Sequence, residues 1–297
     1  MKKILISGGI VLEHQFFVDR VPQINEVALS DQKFNFGLTS KVINAGRILA
    51  QNNHVSILGV VGKDADGKFA LKELKKFGIK TNLVSSTNRD YTGQVIMQTD
   101  QAGTSATTVY LGANKLNLYS PKNNFKQFDA YYLATSMPLK TLYLALKNKA
   151  DSVITFLDIP NKHQLLDWNK LNKLDFLTAN RFEAELMLQT KIVTIDQAFA
   201  AAAELKNKIE GTVIISLDKD GCVIYNENIK THIAAPHLTS LDSTGAGDIL
   251  RGVFLNEYLK NRAIVASAKK AIGIAAQSVK IKGVYNSIEF VLKTLAL

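Results

Sequence analysis

Seven consecutive residues, Asp242-Ser243-Thr244-Gly245-Ala246-Gly247-Asp248, lead into an apolar, helix-period segment from Ile249 to Leu259. Glycines on either side of one alanine, directly before a helix, let successive backbone N–H groups turn toward one point, where the positive end of the helix dipole adds to them. Such a pocket suits an anion. Asp248 stands at its mouth, where a carboxylate can take the proton of a hydroxyl attacking a phosphate held by those N–H groups. The chemistry is phosphoryl transfer, with Asp248 as base and the N–H groups of Gly245, Ala246 and Gly247 around the transferred group. For the bare Gly-Ala-Gly-Asp, a tight turn followed by a helix-favouring Asp is the structural alternative.

A second candidate lies in Thr178-Ala179-Asn180-Arg181-Phe182-Glu183, just past an expected strand at the start of a helix, within reach of a phosphate or its metal. Taken alone, Asn followed three residues later by Glu is a capping box. The seven-residue loop and the Asn-Xaa-Xaa-Glu element together resemble the signatures of the PfkB, or ribokinase-like, carbohydrate kinases. Val61-Gly62-Lys63-Asp64 with Gly67, Gly112-Ala113-Asn114, and Ser216-Leu217-Asp218-Lys219-Asp220-Gly221 extend the resemblance over essentially the whole chain.

The resemblance implies a ribokinase-like three-layer α/β/α fold, with a mostly parallel central sheet and a small β-sheet lid. It implies ATP as phosphoryl donor, with Asn180 near the nucleotide phosphates and Glu183 orienting Mg²⁺ through water. Ser216, Asp218 and Gly221 then belong to the nucleotide loop, although Asp218 stands where the family has glycine. Asp242, the backbone of Thr244, Gly283 and Ser287 match the family's monovalent-cation site, which implies K⁺; otherwise Ser287 caps a helix before Ile288.

The sugar-binding half departs further. Val11 and Glu13 replace the Asn and Asp of ribokinase, and Ser136 replaces a sugar-binding Glu. Phe36-Gly37-Leu38-Thr39-Ser40-Lys41 occupies the place of the family's Gly-Gly-Xaa-Xaa-Xaa-Asn, with Asn44-Ala45 out of that spacing. Glu13, Gly37 and Lys41 are thus the expected acceptor-binding residues, and ribose is not the expected acceptor. Lys41 either pairs with an anionic group of the acceptor or is an exposed lysine at a helix start.

The elements that must position these residues alternate between strand and helix. Apolar runs at Lys2 to Ser7 and His54 to Val60, and strand–helix alternation from Phe128 onward, favour a parallel sheet covered on both faces, with ligands at its carboxyl edge. Gly93 to Met97 and Thr104 to Leu111, around Asp100-Gln101-Ala102-Gly103, read as a hairpin. It lacks a crossover helix, so with the Phe16 to Phe34 stretch it is assigned to a small separate sheet, a lid formed by residues 13–38 and 91–112 of a single domain over 1–297.

Composition narrows the remaining classes. The 297 residues are 46% hydrophobic and 21% charged, and one cysteine, Cys222, excludes an intramolecular disulfide and suits a reducing cytoplasm. The apolar N-terminal run is too short for a signal peptide and reads as a buried strand. No stretch is long and apolar enough for a membrane span. The net charge of +10 comes from scattered lysines without an aromatic-interleaved stripe, which argues against nucleic acid and still favours anionic small molecules. No histidine pair has metal spacing and no nucleophile elbow is present. The sequence points to a cytoplasmic ATP-dependent kinase acting on a hydroxyl, primary by expectation, of a sugar or sugar derivative, with a homodimer through the lid by analogy. A nucleoside or sugar-phosphate kinase, or a non-catalytic binder on the same scaffold, stands as the alternative.

Overall fold

The computed structural model describes residues 1–30, 32–101, 105–116, 125–136, 138–159 and 166–295. In chain order its elements are β1 (Lys3–Ser7), β2 (Val11–Phe17), β3 (Asn35–Thr39), α1 (Lys41–Leu49), β4 (His54–Gly62), α2 (Ala65–Lys76), β5 (Ile79–Thr87), β6 (Gly93–Thr99) and β7 (Ser105–Tyr110). They continue as β8 (Ala130–Ala134), α3 (Leu139–Lys147), β9 (Ile154–Asp158), β10 (Phe176–Asn180), α4 (Arg181–Leu188), α5 (Ile195–Lys206) and β11 (Thr212–Ser216). The chain closes with β12 (Cys222–Tyr225), β13 (Lys230–Ile233), α6 (Ala246–Asn261), α7 (Ile264–Ser278) and α8 (Val284–Leu295).

Nine strands form one sheet in the order β13-β12-β11-β10-β9-β8-β1-β4-β5, and four form another in the order β3-β2-β6-β7. The large sheet is parallel from β11 through β5, while β12 and β13 run antiparallel at its edge. Side chains alternate between its two faces. Ile4, Ile6, Tyr132 and Phe156 join α1, α6 and α8 in one core, while Leu5, Tyr131, Leu133 and Leu157 join α3, α4 and α5 in the other. That alternation is the three-layer arrangement.

Local chemistry sets the helix starts. Ser40 accepts from Ile43 N at the start of α1, and Asp64 accepts from Gly67 N at the start of α2. Asp64 also holds Thr92 N and Oγ1 at 2.7 Å each, so the Asp64-Ala65-Asp66-Gly67 turn caps a helix. Asn114 accepts from Ile10 N and donates to Ile10 O, fixing the junction between β1 and β2.

Some expectations shift. Of the described residues from Phe16 to Phe34, the first two are strand; Arg20 folds back onto Glu26 and Pro22 lacks a ladder donor. In the strand–helix alternation expected from Phe128 onward, residues 160–165 lie outside those described, and Trp168–Lys170 is a single 3-10 turn. Ala102 and Gly103 of the hairpin turn also lie outside them, although β6 and β7 pair antiparallel. Ser287 lies inside α8 rather than capping it. No helix among the described residues is long and apolar enough to cross a membrane.

Candidate active site

The carboxyl ends of β9, β10 and β11 lie side by side, with Thr178 opposite Asp158 and Asn180 opposite Ser216. A chain that ends buried apolar strands in Asp158 and Asn180 therefore sets two polar groups along one edge of the sheet. At the same edge α6 begins. Gly245 takes φ +81°, the left-handed conformation that glycine adopts without strain, and Ile249 N closes the first turn onto Gly245 O. Ala246 N–H, expected to face the anion, donates instead to Ser243 O, whereas the N–H groups of Gly245, Gly247 and Asp248 have no acceptor among the described residues.

Asp248 is held from two sides. Asn44 Nδ2 donates to its Oδ2 at 2.8 Å, and the Asn44 amide is itself oriented by Thr39 Oγ1, 3.1 Å from Asn44 Oδ1. This contact needs α1 and α6 close together, which Gly252 permits: a Cβ there would lie 2.9 Å from Ala45 Cα. On the other side, Arg251 Nη1 lies 3.6 Å from Asp248 Oδ1.

At the start of α4 the capping box is real. Asn180 Oδ1 accepts from Glu183 N and Glu183 Oε2 accepts from Asn180 N, both at 2.7 Å, which leaves the Asn180 amide nitrogen without an acceptor among the described residues. Glu183, fully buried, also binds Arg251 Nη2 through Oε2 at 3.2 Å and Lys41 Nζ through Oε1. Lys41 Nζ is 3.6 Å from Asp158 Oδ2, and Arg251 Nη2 is 3.2 Å from Asp158 Oδ1. Two cations thus face three carboxylates. Burial pushes the Asp158 carboxyl above its ordinary range, against the pull of Arg251 and Lys41. Burial acts to lower the Arg251 guanidinium, but Asp158 and Glu183 outweigh it and hold it above its usual value.

Lys41, expected to face the acceptor or solvent, is therefore spent on the protein's own carboxylates. Asn44 was the residue missed. Counted from Thr39, the run Thr39-Ser40-Lys41-Val42-Ile43-Asn44 has the six-residue spacing that ends in Asn, with Thr and Ser in place of the glycines.

Glu13 and Gly37, two of the three expected acceptor-binding residues, line a space shared with Thr39, Asn44, Arg47 and Tyr285 among others, with room for about 20 Å³, one water's worth; Lys41 does not line it. Glu13 is 7% exposed, and its carboxyl has no hydrogen-bond partner among the described residues. Burial, then the nearby Asp248 and Asp242, push it up to about 7. Ser136 Oγ accepts from Gly9 N at 2.8 Å, which ties it to the backbone.

Ser216 ends β11, and the loop after it is pinned by Arg181, which donates to Leu217 O and Asp220. Asp218 adopts φ +53° with its side chain 79% exposed, and Gly221 adopts φ +90°. Asp242, Thr244, Gly283 and Ser287 do assemble. Asp242 accepts from Thr244 N and Gly283 N, and Ser287 Oγ faces the carbonyls of Ser278, Ile281 and Gly283.

No group of three metal-ligating side chains forms among the described residues. Glu183 Oε1, buried and with Lys41 as its donor among the described residues, would be the oxygen to meet, through water, an ion carried by nucleotide phosphates.

The profile of the pfkB family carbohydrate kinases matches residues 1–290. The deoxyribokinase of Salmonella typhi is 26% identical over 292 residues, 96% of this chain and 94% of that protein. The ribokinase of Staphylococcus aureus is 27% identical over 276 residues, 90% and 89% of the two chains. The structure of Arabidopsis thaliana ribokinase complexed with ribose and ATP superposes with a TM-score of 0.85 at 20% identity, covering 100% of this chain and 99% of that one.

Proposed function

The chain belongs to the pfkB family of carbohydrate kinases, and from that premise we propose that it transfers the γ-phosphoryl group of ATP to a primary hydroxyl of a sugar or sugar derivative other than ribose. The observation that carries this reading is the juxtaposition of Asp248, fixed by Asn44, with the enclosed space under Glu13 and Gly37. Asp248 takes the hydroxyl proton as the oxygen attacks phosphorus, and the N–H groups of Gly245, Gly247 and Asp248 meet the charge on the transferred group. Asn180 and Glu183 would orient Mg²⁺ arriving with the nucleotide, which would supply charge screening of the phosphates, and Ser216 and Gly221 would shape the nucleotide loop. Asp242, Thr244, Gly283 and Ser287 are the residues that would hold K⁺.

Glu13 and Gly37 belong to the four-stranded sheet, which serves as a lid because the space beneath it must widen to admit a sugar. Phe36 and Ile96, exposed on one face of that sheet, and Phe34 just ahead of β3 suit pairing with a second copy. A single buried Cys222 suits a reducing cytoplasm.

Val11, Glu13 and Ser136 in place of the ribokinase residues support an acceptor other than ribose. The test is phosphorylation by Mg·ATP of a panel containing ribose, 2-deoxyribose, other neutral sugars, sugar acids, sugar phosphates and nucleosides. Turnover of one non-ribose sugar is expected. Preference for ribose or a nucleoside contradicts the acceptor assignment, and no turnover with any member contradicts the kinase reading.

A further inference from the structure

Arg251 is an arginine on the buried side of α6, only 4% exposed, three residues after the proposed base. Its guanidinium faces carboxylates: Nη2 lies 3.2 Å from both Asp158 and Glu183, and Nη1 lies 3.6 Å from Asp248. The guanidinium runs beneath the glycine loop, since a Cβ on Gly247 would come within 2.9 Å of Nη1. A buried guanidinium is costly to desolvate unless its geometry and partners compensate, and here one planar fork spans both the acceptor-side base and the nucleotide-side carboxylate.

We propose that Arg251 is a positioning residue for phosphoryl transfer, orienting Asp248 toward the acceptor hydroxyl while tying it to Glu183. It works with Asn44: Asn44 donates to Asp248 Oδ2, while the Arg251 charge, 3.6 Å from Oδ1, favours that oxygen facing α6, so one orientation of the carboxylate is favoured before substrate arrives. The role rests on the kinase reading above. Arg251 touches neither substrate nor the transferred group, and its effect passes through Asp248.

The test is a kinetic cycle on the full chain with the acceptor found by the panel, using a radiolabelled γ-phosphate and active-site titration to correct for misfolded protein. Arg251→Gln is expected to lower kcat by about 100-fold while leaving both KM values within about 3-fold, since an interaction that orients the base acts in the transition state. Arg251→Lys, which keeps the charge and loses the fork, recovers part of that loss. In an Asp248→Asn background the same Arg251→Gln change costs less than about 3-fold, because the group it orients is gone. Full multiplication of the two losses, or a kcat for Arg251→Gln within about 3-fold of the parent, overturns the role and leaves the kinase reading standing. Absence of turnover in the parent protein overturns both.

Discussion

The amide of Asn44 reaches across from α1 to α6 and donates to Asp248 Oδ2 at 2.8 Å, joining residues 204 positions apart. A carboxylate that must accept a proton gains from being held in one orientation, and this bond does so from the acceptor side. Removing it in Asn44→Ala forfeits a hydrogen bond to a charged group. The expected loss in kcat is about 10- to 100-fold, the equivalent of roughly 1.5–3 kcal/mol. Steady-state kinetics with the preferred acceptor measure it; an unchanged kcat would mean that Thr39 and Asn44 serve packing alone.

Glu13 gives a pH signature. Its folded-state carboxyl sits at about 7 against an ordinary 4.5, so the folded protein holds a proton there that the unfolded chain releases. Stability therefore falls as pH rises from about 4.5 through 7, and the full penalty is present above that window. A shift of that size corresponds to roughly 3 kcal/mol at most. Glu13→Gln should raise the melting temperature at pH 8 and lose that advantage by pH 4. Equal gains at both pH values would show that charge on Glu13 is not what destabilises the fold, and acceptor KM should rise in the same variant.

Asp218 occupies a left-handed backbone position with its side chain 79% exposed, 3.9 Å from Arg181 Nε. Asp218→Gly relieves that conformation, worth about 1 kcal/mol before the entropy of glycine is subtracted. The exposed ion pair it removes contributes little, and loss of a negative charge beside the nucleotide loop should tighten ATP binding by up to about five-fold. Calorimetric titration with ATP reads this directly; weaker binding would show that Asp218 assists the nucleotide.

Much of the site could be read from residue order. The Asp242 to Asp248 loop, the Asn180 and Glu183 pair and the strand–helix alternation are local patterns, and each is found where its spacing puts it. What could not be read depends on which strands become neighbours. Asp158 joins Glu183 only because β9 lies beside β10, and Arg251 meets Glu183 only because α6 starts at that same edge, 68 residues along the chain. Lys41 was legible as a cation that needs a partner, yet its partners are the protein's own Glu183 and Asp158. The antiparallel β12 and β13 were not anticipated, and α8 begins at Val284 rather than Ile288, which places Ser287 among carbonyls rather than at a helix start.

The most direct test of the account is Asp248→Asn, assayed for turnover and for ATP binding in the same preparation. The side chain keeps its size and can still meet Asn44, but it no longer accepts a proton. Turnover should fall by about 10³-fold while ATP affinity stays within about 3-fold of the parent protein. Near-normal turnover in this variant would contradict Asp248 as the base, and with it the proposed mechanism of transfer.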